Sequence, residues 1–147
     1  MSKQTLYTIG FTQKNAEQFF SILQQAGIRK IIDVRLNNVS QLAGFAKRDD
    51  LRYFLSALCG IEYCHRPDWA PTAELLKGYR EKTVDWDTYE RAFTALIRER
   101  SIEKTVDRAV LDKSCLLCSE PEATHCHRRL VAEYLNDTLG DIELCHL

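Results

Sequence analysis

The sequence has no run of about 18 apolar residues, the length a helix needs to cross a bilayer. Its first residues, MSKQTLYTIG, lack the apolar stretch of a secretory signal. The expectation is a cytoplasmic protein with no membrane partner. A net charge of -1 provides no overall positive field, so charge does not support a nucleic-acid partner. Glu and Arg mix freely over residues 90–108, which excludes a basic stripe interleaved with aromatics there. No repeat, low-complexity tract or linker divides the chain. Walker and GxGxxG loops are missing, and so is an HExxH helix. A phosphatase-type cysteine loop would place Arg six residues after its cysteine. Cys118 has Thr124 at that position, and Cys126 has Ala132.

What is present describes an ordinary globular protein: 147 residues, 45% hydrophobic and 28% charged. That length suits one domain over 1–147, with a real core and no need of disulfide staples. Six cysteines in a cytoplasmic chain are expected to stay reduced. Core packing accounts for Cys59, on an apolar helix face, and Cys145, in a terminal strand.

Apolar runs alternate with helical periods along the chain. TLYTIG reads as a strand stopped by Gly10. Residues 15–27 read as a helix, with Asn15 as N-cap, Gln18 three residues on and Gly27 as C-cap. RKIIDVR, IEYCHR, SCLLC and IELCHL read as further strands, the first a run typical of a strand buried on both faces. Helices are expected over 49–59 through Leu58, over 72–82, 86–100 and 125–139, and a shorter one over 102–109. Trp69 and the Pro67–Pro71 segment are expected to cover an apolar edge. The fold class is α/β: a mostly parallel sheet of about five strands flanked by helices.

In such sheets ligands gather at the carboxyl ends of the strands. Lying there are Gly10-Phe11-Thr12, Asp33-Val34-Arg35, Cys64-His65-Arg66 and Cys118-Ser119-Glu120. The richest stretch is CLLCSEPEATHCHRR, residues 115–129. Cys115 and Cys118 form a CxxC pair, but within a strand residues three apart face opposite sides. Cys115 is therefore assigned to the core and Cys118 to the crevice. The following helix is expected to begin near Thr124 or His125. Counting back four residues from Leu130 and Val131 turns Cys126 and His127 inward, near Cys118. The helix start and Arg128 add positive character, which lowers thiol pKa.

Two chemistries fit these residues. In one, a thiolate at Cys118 or Cys126 attacks an electrophile while His127 or Glu120 moves protons. In the other, Cys118, Cys126 and His127 bind zinc or iron, with His65 as a candidate fourth ligand. Asp33 and Arg35, two apart on one strand side, either pair with each other or serve the crevice.

TIGFT, IIDVR followed by NNVS, GIEYCH and LLCSEPEATHCHRRLVAEYL together resemble the family catalogued as domain of unknown function 488. The resemblance covers nearly the whole chain. Carried over, the family's marked positions are Gly10, Asp33, Arg35, Ser40, Cys118, Glu120, Cys126, His127 and Arg128. The family's first motif usually reads Thr-Ile-Gly-His-Ser, so Phe11 here replaces a histidine and Thr12 a serine. The family's proline after Asp-Val-Arg is also absent.

The resemblance implies a fold and a site but no reaction. Three readings stand. The first is a cysteine-dependent enzyme acting through Cys118, Glu120, Cys126 and His127. Its substrate would be polar or phosphate-bearing, nucleotide-like, and held by Gly10, Thr12, Asp33, Arg35, Ser40 and Arg128. The second is a zinc- or iron-binding protein using Cys118, Cys126 and His127. The third is a non-catalytic module that binds an anion or a partner.

Overall fold

A computed structural model of the chain describes residues 3–39 and 44–147. In chain order it runs β1 (Gln4–Gly10), α1 (Ala16–Ala26), β2 (Lys30–Asp33), α2 (Arg48–Phe54), β3 (Glu62–His65), α3 (Ala73–Arg80), α4 (Trp86–Glu99), α5 (Arg108–Leu111), β4 (Ser114–Cys118), α6 (His127–Leu139) and β5 (Ile142–His146). The five strands form one sheet in the order β3-β2-β4-β1-β5, and every neighbouring pair is parallel. The fold is α/β, as the alternation in the sequence implies.

Parallel strands need crossover connections, and these cover both faces of the sheet. Side chains of β4 alternate accordingly. Cys115 and Leu117 share a core with Phe19, Leu23, Leu51 and Leu55, from α1 and the α2 segment. Leu116 and Cys118 share the opposite core with Phe93, Leu130, Val131 and Leu135, from α4 and α6. Each such side chain contributes about 1.5–3 kcal/mol when fully buried, so two apolar layers fix both sets of helices.

Local signals set most element ends. Asn15 accepts from the Gln18 amide at 2.8 Å and Gln18 Oε1 accepts from the Asn15 amide at 3.0 Å, a closed capping box. Three expectations shift. The α6 helix begins at His127, later than expected, because Pro121 and the turns after it delay it and the Cys126 amide bonds back to Ala123 O at 3.1 Å. The expected helix over 102–109 is a 3-10 turn, Ile102–Lys104, and a separate α5. Asp107 starts α5 by accepting from the Ala109 amide. Leu58 is 60% exposed because α2 widens into a π-helical turn over Leu55–Cys59, which rotates that side chain outward.

Adjacent strands β4 and β1 lead to helices on opposite faces, α6 and α1. The crevice at their carboxyl ends is thus the switch point of the sheet. Among the described residues no helix is long and apolar enough to cross a membrane.

Candidate functional site

The chain leaving β1 crosses closely over the chain leaving β4. Phe11 N–H donates to Cys118 O at 3.3 Å, and Thr12 donates to Ser119 O from its amide at 3.2 Å and its hydroxyl at 2.6 Å. Gly10 permits the approach, since a Cβ there would overlap the Glu120 carbonyl. Arg128 Nη1 donates to that same carbonyl at 2.6 Å, and Arg128 Nε donates to Thr8 Oγ1 at 3.2 Å. Gly10, Thr12 and Arg128 therefore shape and brace the Cys118–Glu120 turn.

On this turn Cys118 ends β4, Cys126 is the N-cap residue of α6 and His127 opens the helix. The two sulfurs and a His127 ring nitrogen all lie within 4.8 Å of one another, and all three residues are buried. Cys118 Sγ is 3.6 Å from His127 Nδ1. His127 Nε2 lies 2.6 Å from Val34 O. A carbonyl only accepts, so the Nε2 that meets Val34 O carries a proton.

The Cys118 thiol donates toward the Cys126 sulfur, and this bond pulls Cys126 well below the ordinary thiol range. Burial opposes the shift, while His127 and the Arg128 charge assist it. The same bond, together with burial, holds Cys118 well above that range. The helix N-terminus favours charge on Cys126 as well. Arg128 is fully buried, and neither of its hydrogen-bond partners is a carboxylate.

These sulfurs close one end of a cavity of about 550 Å³, well within the range of small-molecule sites. Its wall includes Glu120, which is exposed, and Arg35 from the chain after β2. The opposite side comes from α3 and α4: Leu76, Tyr79, Arg80 and Tyr89. Tyr89 stacks on Trp86 at 5.3 Å between ring centroids and on Phe93 at 6.2 Å, and Phe93 meets His127 edge-on at 5.4 Å. The aromatic column thus supports the imidazole as well as the cavity wall. The helices expected over 72–82 and 86–100 carry these residues, but Tyr79, Arg80 and Tyr89 were not among the expected site residues. The overlooked signal was a phenol on a core-facing stripe, whose hydroxyl needs something polar to face.

Asp33 lies beneath the cavity rather than on its wall. It is fully buried, accepts from Arg35 Nε at 2.9 Å, Arg35 Nη2 at 2.8 Å and the Tyr63 hydroxyl at 2.6 Å, and takes a longer contact from Asn38. So Asp33 and Arg35 pair with each other, and Arg35 alone of the two reaches the cavity wall. Phe11 packs in the α1-side core with the Arg35 guanidinium 5.3 Å from its ring centre, off the cavity wall. His65 Nε2 contacts Arg35 O at 2.7 Å and stands outside the Cys118-Cys126-His127 group, the one convergent metal-ligand group among the described residues. Ser40 lies outside the described residues. Cys115 is buried on the far face of the sheet. Trp69 is fully buried and donates to Thr105 Oγ1 at 3.2 Å, so it covers core.

The family model described as domain of unknown function DUF488 matches residues 15–135. The TIGFT motif falls just before the matched range. No curated protein and no solved structure matches the chain.

Proposed function

The chain belongs to the DUF488 family, and we propose that its strand-end site performs thiolate chemistry on a small polar, nucleotide-like substrate, with Cys126 as the nucleophile. One observation carries this reading. Cys126 stands at the N-cap of α6, beside the Cys118 thiol and the buried Arg128, whose charge no carboxylate bonds. In attack, the Cys126 sulfur forms a bond to the electrophilic atom of the substrate as the leaving group departs. Glu120, on the cavity wall, then takes the proton of the water that releases the product. Cys118 holds its proton and orients the thiolate, and Val34 O and Phe93 fix the His127 ring between them. Such a site requires a reducing compartment, such as the cytoplasm. The test is site-resolved labelling with iodoacetamide at neutral pH. Cys126 is expected to react ahead of the other five cysteines, and Cys118→Ser to leave Cys126 reactive. Labelling confined to exposed cysteines would overturn the reading.

A second reading is favoured by one spacing. A tetrahedral zinc with Zn–S of about 2.3 Å and Zn–N of about 2.0–2.1 Å sets sulfur and nitrogen about 3.5 Å apart. Cys118 Sγ and His127 Nδ1 are separated by 3.6 Å. An Nε2–H held by a carbonyl is also the usual support of a metal-bound histidine. The three residues would leave a fourth position open toward the cavity. Elemental mass analysis of protein purified without a His tag decides the matter. About one zinc or iron per chain, lost in Cys118→Ala, establishes the metal site and sinks the free-thiol mechanism.

A further inference from the structure

Several polar groups on the cavity wall have no partner among the described residues. Arg35 is only 2% exposed and gives Nε and Nη2 to Asp33, but its Nη1 is buried without a hydrogen-bond partner. An unpaired buried donor of this kind costs about 1–3 kcal/mol, more when charged, and so marks a place that calls for a reason. Across the cavity, neither the Tyr79 nor the Tyr89 hydroxyl bonds to another described residue. Tyr89 is held by rings on both sides, Trp86 and Phe93, and Tyr79 packs on it at 4.8 Å. Arg80 lines the same space and forms no ion pair with a described residue. The α3–α4 wall thus offers two phenol O–H groups and a cation with no ion-pair partner among the described residues, and the Arg35 side chain lines the cavity as well. Glu120 is the carboxylate residue among those lining the cavity, and it is exposed.

We infer that these groups form an oxyanion subsite, in which the Tyr79 and Tyr89 hydroxyls and Arg80 receive a phosphate or carboxylate group of the substrate. The inference deepens the thiolate reading, because the subsite shares its cavity with Cys126 and would present an anionic substrate to that sulfur. Tyr89 and Arg80 then act as binding residues. Three neighbouring donors suit a group with several terminal oxygens, and the ring-held Tyr89 hydroxyl binds it without the cost of being ordered.

Two alkylating probes that differ only in charge test this: iodoacetate, an anion, and iodoacetamide, its neutral analogue. The readout is the ratio of their rates at Cys126, divided by the same ratio at Cys126 in the urea-unfolded chain. Division removes the intrinsic reactivity of the thiol. A subsite raises the normalised ratio about tenfold, the low end of electrostatic focusing in a cleft. Arg80→Gln and Tyr89→Phe each lower this ratio, in which iodoacetamide labelling of the same variant is the internal reference. Inorganic phosphate or acetate protects Cys126 from iodoacetate. Protection by phosphate alone marks a phosphate-bearing substrate, and protection by acetate marks a carboxylate. Rapid iodoacetamide labelling with a normalised ratio near one overturns the subsite and leaves the thiolate reading standing. If neither reagent labels Cys126, the thiolate reading falls. Calorimetry with inorganic phosphate and with acetate then judges the subsite alone, and binding of either to the wild type that weakens in Tyr89→Phe upholds it. Binding of neither overturns it.

Discussion

Replacing Gly10 with alanine would drive a methyl group into the Glu120 carbonyl, with Arg128 Nη1 only 3.1 Å from the new atom. Gly10 does not have positive φ, so the cost is steric and not a matter of backbone preference. The Cys118–Glu120 turn must retreat, and with it goes the 2.6 Å bond from Arg128 to Glu120 O. A hydrogen bond made by a charged group is worth about 1.5–3 kcal/mol. Forcing a methyl group into a packed site adds about 1–3 kcal/mol. The expected loss is thus about 3–5 kcal/mol, because the Thr12 bonds to Ser119 O strain with the same turn. Urea unfolding of Gly10→Ala should show this as a lower midpoint with an unchanged slope. Gly44→Ala is the control, since a Cβ at Gly44 meets nothing within 4 Å. Iodoacetamide labelling of Cys126 should also slow, because the displaced turn carries Cys118. A loss below about 1 kcal/mol would refute the claim that this close crossing sets the site's geometry.

Asp33→Asn leaves the Arg35 guanidinium buried without its counter-charge; both side chains are at most 2% exposed, so unfolding experiments should show a loss of about 3–5 kcal/mol. A loss of a few tenths would mean that the pair is solvated. Stability should depend on pH through the cysteine pair. Cys126 is held below the ordinary thiol value of 9.0, so between its folded value and 9.0 the unfolded chain binds more protons and stability rises with pH. Cys118 is held above 9.0, so its contribution is present below 9.0 and is lost as pH rises through its folded value. The wild type measured against Cys126→Ser should therefore gain stability from neutral pH toward 9.0, and a flat difference would contradict the assignment. Burial holds the Cys115 thiol well up, so mass spectrometry should find it unlabelled until the chain unfolds.

Much of this site was legible in the sequence because it rests on short-range periodicity. Alternation along SCLLC separates Cys115 from Cys118, and the structure divides them between opposite cores. The phase of α6 is fixed by Leu130, Val131, Tyr134 and Leu135, so Cys126 and His127 turn inward even though the helix starts later than its composition suggests. Asp33 and Arg35 illustrate the limit of such reasoning. Their spacing allows both a mutual pair and a crevice role, and what decides is Tyr63 from β3, 30 residues away, whose hydroxyl occupies the carboxylate. The α3–α4 wall was not legible at all. An amphipathic stripe shows that Tyr89 faces a core, but not that its hydroxyl meets the carboxyl end of β4. Leu58 failed for a local reason, since a π-helical turn breaks the 3.6-residue period on which the reading relied.

The central claim is that Cys126 is a free thiolate held by its neighbours in the fold. The most direct test follows the rate of iodoacetamide labelling at Cys126 against pH, resolved by mass spectrometry. The account predicts a midpoint well below 9.0 at Cys126, with Cys118 labelled only at much higher pH. A midpoint at or above 9.0, or a Cys126 that resists labelling until a chelator strips a bound metal, would contradict it.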